Sequence, residues 1–357
     1  MASKLRMISD QLGISQSSVS QILNRKACDF SSERTRAKVF ALARQLGYKQ
    51  RFADKVLRDE PTRTVAVLVS MHRVLIESHI QALILFLLDL FARGGYEFYL
   101  RIISGDEETN LQVVNDLLSR GVDRFVCVGC PTGLTKIEDL VRERGRHLVG
   151  YGEIFRRRVT SSVSNFIEAT IRMFLQNGRK NFCYLLSNSR QVNRIEVVRN
   201  LFPEMTTDEV LRKHIRFLDF EKEFPVLGDA LLCGTDQLVQ RGYERTKSLL
   251  EERPETDAIF YLSDYYMLGG VQYLTERGVK IGRDVLLCGS NNIDAVRNHI
   301  VPLASWQFDL EQIARILYER SGDDESFADI VSRKFSPNRV ALREKIFKDQ
   351  GCVLEQA

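Results

Sequence analysis

Several signatures are missing from these 357 residues. No GxGxxG follows an apolar run, and there is no GxxxxGK followed by Ser or Thr. No GxSxG elbow occurs either, so phosphate cradles and serine-hydrolase chemistry have no foothold. Five histidines show no HExxH or comparable spacing, and Cys127-x-x-Cys130 has no second pair nearby, so no metal site and no cofactor are expected. Seven cysteines, an odd number widely scattered, fit reduced thiols in a cytoplasmic protein better than a disulfide framework. Long apolar runs are lacking too. The opening MASKLRMISD is no secretory signal, and the greasiest stretch, Ala82 to Ala92, is too short for a bilayer and contains Asp89. Export, membrane and enzyme readings thus begin without support.

Charge is what the chain distributes unevenly. Up to Glu60 there are 12 Lys/Arg against 6 Asp/Glu, and beyond it 39 against 41. A basic head on a near-neutral body points to a polyanionic partner for the head alone. With 44% hydrophobic residues the chain can bury a sizeable core and exceeds one ordinary domain. The divisions read as a head over 1–48, a charged linker over 49–64 closed by Pro61, a body over 65–345, and a tail over 346–357.

In the head, Leu5, Ile8 and Leu12 share one helical face, Gly13 interrupts, and Ser15 can cap a second helix whose Val19, Ile22 and Leu23 face the same core. A third helix follows through Val39, Leu42, Ala43 and Leu46, with Gly47 placed to end it. Ser9, Gly13 and Val19 have the spacing of a helix-turn-helix: close packing, a permissive turn and a core residue beneath the second helix. Gln16, Ser17, Ser20, Gln21 and Asn24 are left on the outer side of helix two. Such compact groups read donor and acceptor patterns on base edges, with Gln16 and Gln21 suited to adenine and Ser15 and Ser20 to phosphates. The alternative is a polar, solvated face on a three-helix bundle.

From Val65 short apolar β-runs alternate with amphipathic helices: VAVLVS, YEFYLRII, DRFVCVG and HLVGYG, then, from about Asn165, NFCYLLS, DAIFYLS and DVLLCGS. The pattern predicts two parallel sheets flanked by helices, hence two lobes with a ligand cleft beyond the strand ends. Ser70, Asp264 and Asn291 stand at such ends. Asp264 can equally cap the helix that follows it, or orient Arg194 through a salt bridge. Arg156 to Arg158 reads as a solvated loop, and PNRVALRE as a final strand. Helix Ile76 to Ala92 carries more apolar surface than one lobe needs, part of it for dimer contact. No heptad tail calls for a tetramer.

The run ISDQLGISQSSVSQILN followed by TRAKVFALARQLGY resembles the DNA-binding head of the lactose and galactose repressor family of bacterial transcription regulators, and the family pattern continues through nearly the whole chain. The resemblance implies a homodimer whose paired heads read a near-palindromic double-stranded DNA operator, controlled by a sugar-binding body. It places a minor-groove wedge at Leu57, for which a plain tether is the alternative, a phosphate contact at Arg51, and effector contacts at Arg194, Asp264 and Asn291, with Phe220 stacking on a ring. Arginine forks, carboxylates and amides converging on a cleft suit vicinal hydroxyls. The chain departs from the pattern at Gln21, where Arg is usual, Gln50 for Pro and Asp54 for Ala. Leu75 and Ile76 replace the usual aromatic pair, so the ligand differs from the common hexoses. A ligand-controlled repressor is the leading reading. A solute-binding protein of the periplasmic type, or a regulator answering to a nucleobase or other non-sugar ligand, stands beside it.

Overall fold

Runs such as Thr64–Val69 are buried along their whole length, which only a strand covered on both faces can be. The computed structural model describes residues 4–23, 31–48, 61–70, 78–103, 105–161, 163–186, 192–217, 235–323 and 325–347. The chain divides into two compact units, Met1–Thr62 and Arg63–Ala357.

The first unit contains α1 (Lys4–Leu12), α2 (Gln16–Leu23) and α3 (Glu33–Gln45). Ile8, Val19, Ile22, Val39 and Ala43 form its core. Gly13, at φ +64°, makes the turn between α1 and α2. Ser9 fixes that turn: its hydroxyl donates to the Ile14 carbonyl at 2.6 Å. Ser15 caps α2 by accepting the Ser18 N–H at 3.0 Å, and Ser32 caps α3 through Thr35. Gly47 ends α3 at φ +58°, letting Tyr48 N–H reach back to the Ala43 carbonyl at 2.8 Å.

The second unit holds two six-stranded sheets. The first lobe comprises β1 (Thr64–Val69), α4 (Ser78–Arg93), β2 (Glu97–Ile102), α5 (Glu107–Ser119), β3 (Arg124–Val128), α6 (Leu134–Glu143), β4 (His147–Tyr151) and β5 (Arg158–Ser161). The second comprises α7 (Val163–Gln176), β6 (Phe182–Leu186), α8 (Val192–Asn200), α9 (Thr207–His214), β7 (Ile215–Phe217), α10 (Thr235–Glu252), β8 (Ala258–Tyr261), α11 (Asp264–Glu276), β9 (Leu286–Ser290), α12 (Asp294–Arg297) and β10 (Ala304–Phe308). The chain then returns to the first lobe for α13 (Leu310–Arg320), packed on α4, and β11 (Ala328–Val331). It ends in the second with β12 (Arg333–Pro337) and α14 (Arg339–Arg343). Strand order is β11-β5-β4-β3-β1-β2, all parallel, and β12-β10-β9-β8-β6-β7, parallel except for β12 against β10.

Alternation along β1 sends Val65, Val67 and Val69 to one core, with Leu83, Leu87 and Phe91 of α4 and Leu317 of α13. Ala66 and Leu68 face the other, with Val114 of α5 and Val141 of α6. The second sheet is buried likewise on both faces. Among the described residues no helix is long and apolar enough to cross a membrane, and no group of three or more His, Cys, Asp or Glu stands ready for a metal ion.

Two local expectations are corrected. Arg156–Arg158 is no solvated loop: Arg158 opens β5, while Arg157 donates to the Asp323 carboxylate and to the Arg320 and Asp323 carbonyls at 2.6–2.7 Å. Arg156 pairs with Asp139 at 2.5 Å. In PNRVALRE the strand ends at Pro337, because Asn338 accepts the Ala341 N–H at 2.9 Å and starts a helix.

Helices α10 and α11 meet through glycine. A Cβ at Gly269 would run into the Val239 carbonyl oxygen, and one at Gly242 into that of Tyr266. Gly269→Ala is therefore expected to destabilise the body by about 1–3 kcal/mol, read as a lower urea midpoint. An unchanged midpoint would mean that the helices are not in such close contact. Ser15→Ala, which removes the α2 cap, is expected to lower head stability by ~1 kcal/mol in the same measurement.

Candidate functional site

Two arrangements carry chemistry, one in each unit. On α2, Val19 and Ile22 point inward, so helical periodicity turns Gln16 and Ser17 fully outward, while Ser20 and Gln21 are half-buried at the flank. The helix, QSSVSQIL, bears no charged side chain. Ser15 is occupied by capping and by hydroxyl contacts to Ser17 at 2.7 Å and Ser18 at 2.8 Å. Cations come from α3 instead, where Arg34, Arg36, Lys38 and Arg44 are exposed. Asn24, Arg51 and Leu57, with most of the linker, lie outside the described residues.

In the body, strand ends of both sheets converge where the chain crosses between lobes, after β5, after β10 and between β11 and β12. Arg333, the first residue after the third crossing, stands among them. Its guanidinium carbon lies 3.9 Å from the ring centre of Phe166 and 4.0 Å from that of Phe308. Nε and one terminal nitrogen donate to Ser161 Oγ at 3.3 and 2.9 Å, and the other donates to Ser290 Oγ at 2.9 Å. On the far side of Phe308 the His79 ring stacks at 5.0 Å, nearly parallel. Burial foremost, with the Arg194 charge, lowers the Arg333 pKa to about 10 against the help of Tyr151 and Tyr184. Burial, then the Arg333 charge, takes His79 down to about 3. Burial also raises the Tyr151 and Tyr184 hydroxyls.

Of the effector residues expected from the sequence, Arg194 is half-buried near the start of α8 and donates to the Tyr184 hydroxyl at 3.5 Å. Asn291, at φ +105°, is pinned through its N–H to the Trp306 carbonyl at 2.9 Å, and its side-chain amide faces Ser263 at 3.4 Å. Asp264 is fully buried; one oxygen accepts from Ser305 Oγ at 2.7 Å and the other from Ile293 N–H at 2.9 Å. That corrects its expected role as an effector contact bridged to Arg194. Its carboxylate anchors the turn after β9 and is closed off from a ligand. Ser70, likewise buried, accepts the Cys130 N–H at 3.0 Å and joins the end of β1 to the loop after β3. Phe220, Leu75 and Ile76 lie outside the described residues. Sequence reasoning missed Arg333, Phe166, Phe308 and His79. The only local signal was the basic pair Arg333–Lys334, one serine beyond the apolar pair Ile330–Val331.

Residues 171–320 match the periplasmic binding protein-like domain. Catabolite control protein A of Priestia megaterium is 20% identical over 344 residues, 94% of this chain and 97% of that protein. The HTH-type transcriptional regulator TreR of Salmonella typhimurium is 26% identical over 270 residues, 75% and 77% of the two chains. Among solved structures, the lac repressor dimer bound to operator and the anti-inducer ONPF aligns with a TM-score of 0.66 at 15% identity, over 93% of this chain and 97% of that one. The complex of the transcriptional regulator CelR with cellobiose gives 0.61 at 19%, over 93% and 98%. In sequence the chain is thus similar to transcription regulators along most of its length, and its fold is that of the lac repressor.

Proposed function

We propose that the protein is a sequence-specific DNA-binding transcription regulator, acting as a repressor in the cytoplasm and controlled by a small polar effector bound between its lobes. The observation that carries this reading is the chargeless outer face of α2, with Gln16 and Ser17 exposed, on a relative of regulators along most of its length. The first unit is read as a helix-turn-helix head, with α2 entering the major groove and the α3 cations neutralising phosphates. Gln16, Ser17, Gln21 and Asn24 are assigned to groove contact, Ser15, Ser20 and Arg51 to phosphates, and Leu57 to the minor groove.

A pair of heads spanning adjacent major grooves, roughly 34 Å apart, requires a dimer. Leu85, Phe86 and Leu88 of α4, exposed at 65%, 39% and 42%, supply an apolar face for it. Effector binding favours one closure of the lobes and alters the dimer, changing operator affinity through a coupling of about 1–3 kcal/mol. Arg194, Asn291 and, stacking on a ring, Phe220 are assigned to the effector. No catalytic role is assigned.

Gel shift with operator duplexes tests the head. Gln16→Ala is expected to relax preference at one operator position by about 1–3 kcal/mol, leaving other positions as they were. An equal loss on every sequence would argue against base readout by α2. Deleting residues 1–60 separates a regulator from a solute-binding protein: duplex binding should vanish while the body still binds its ligand. Arg194→Ala is expected to hold operator with wild-type affinity and no longer answer to effector. A normal response would remove Arg194 from the cleft.

A further inference from the structure

Two guanidiniums, Arg194 near the start of α8 and Arg333 at the third crossing, have no carboxylate partner among the described residues. Arg194 donates to the Tyr184 hydroxyl at 3.5 Å, Tyr184 stacks on Phe260 at 4.7 Å, and Phe260 meets edge-on the Phe166 ring that lies on Arg333, so the charge of one guanidinium acts on the other. Among the described residues neither forms an ion pair. Every hydrogen bond they make goes to a neutral hydroxyl: Tyr184 for Arg194, Ser161 and Ser290 for Arg333. Asp264, the carboxylate that sequence reasoning placed here, is turned inward onto Ser305 and Ile293.

We propose that the effector carries an oxyanion, a phosphate monoester or carboxylate on a hydroxylated small molecule, which Arg194 and Arg333 receive together. The inference rests on the inter-lobe effector reading above and adds the charge of the ligand. Bringing two like charges into a poorly solvated region is unfavourable unless an opposite charge joins them. The rings of Phe166 and Phe308 lie 3.9 and 4.0 Å from the Arg333 guanidinium carbon, and its polar contacts, to the two serines, run along its edge. Three of its five N–H donors are taken by the two serines, leaving two in the guanidinium plane. Edge-on approach to a planar fork is how carboxylate and phosphate oxygens are recognised, whereas a neutral sugar hydroxyl gains little from a doubled positive charge.

The chain's single tryptophan provides a reporter. Trp306 is buried 6.1 Å from the Phe166 ring that stacks on Arg333, and it belongs to the body, so phosphate binding at the basic head does not perturb it. Its emission in the full-length protein is followed while inorganic phosphate, glucose 6-phosphate, glucuronate or glucose is added at constant ionic strength. A saturable change is expected with oxyanion probes, at least tenfold weaker or absent with glucose. Glucose 6-phosphate against glucuronate distinguishes phosphate from carboxylate. In Arg194→Gln the oxyanion response should disappear, and in Arg194→Lys, which keeps the charge, it should survive in weakened form. An oxyanion response unchanged in Arg194→Gln, or no response to any oxyanion probe, overturns the proposal. So does an equal response to glucose, which would leave an effector site standing and refute only its charge. Loss of the effector site itself would be seen separately, as operator binding by Arg194→Ala that responds to effector normally.

Discussion

The buried guanidinium of Arg333 is the contact through which the two lobes are held in register. Phe166 follows the first crossing of the chain, Phe308 ends the strand before the second, and Arg333 itself follows the third. Ser161, at the carboxyl end of β5, and Ser290, at that of β9, bring one edge of each sheet to the same group. Removing a guanidinium from water is costly, and two ring faces with three hydrogen bonds offset that cost only while all four neighbours keep their places. Movement of one lobe against the other therefore changes the surroundings of a charge, and the three crossings are mechanically coupled through it.

The head is held by different means. Its core is five buried side chains, too few to specify a turn by burial alone, so the turn is fixed by polar contacts: Ser9 to the Ile14 carbonyl, Ser15 to Ser18, and Gly13 in the left-handed region. These polar contacts also free the outer face of α2. Because the cap is a hydroxyl and the inner positions are apolar, Gln16 and Ser17 are left exposed, Ser17 holding the capping hydroxyl of Ser15 and Gln16 open to a partner.

Much of this was legible in the sequence where burial leaves a simple pattern. Strands covered on both faces, such as VAVLV and FCYLL, appear as apolar runs, and the head helices show their caps and period directly. Partly covered strands were less visible. RVTS and RKFSP alternate or carry charge because only one side is packed, so β5 and β12 resemble loops. VAL in α14 is too short to tell period 2 from 3.6, and only Asn338 as a cap decides it. Asp264 was located at the right strand end, but the direction its carboxylate takes depends on Ser305, 41 residues away. Arg333 was out of reach for the same reason: its neighbours come from three separate crossings.

The protonation states around Arg333 determine what sort of signal this region can receive. His79 titrates near 3, so the ring stacked on Phe308 is neutral throughout the physiological range. Tyr151 and Tyr184, pushed above their usual value, keep their protons. Arg333, even lowered to about 10, keeps its charge. Between pH 5 and 8 the column His79–Phe308–Arg333–Phe166 thus holds one fixed positive charge that no change of acidity alters. Among these described groups the electrostatic balance shifts when a charge arrives from outside, which makes a bound ligand, rather than their titration, the agent able to bias one lobe arrangement over another.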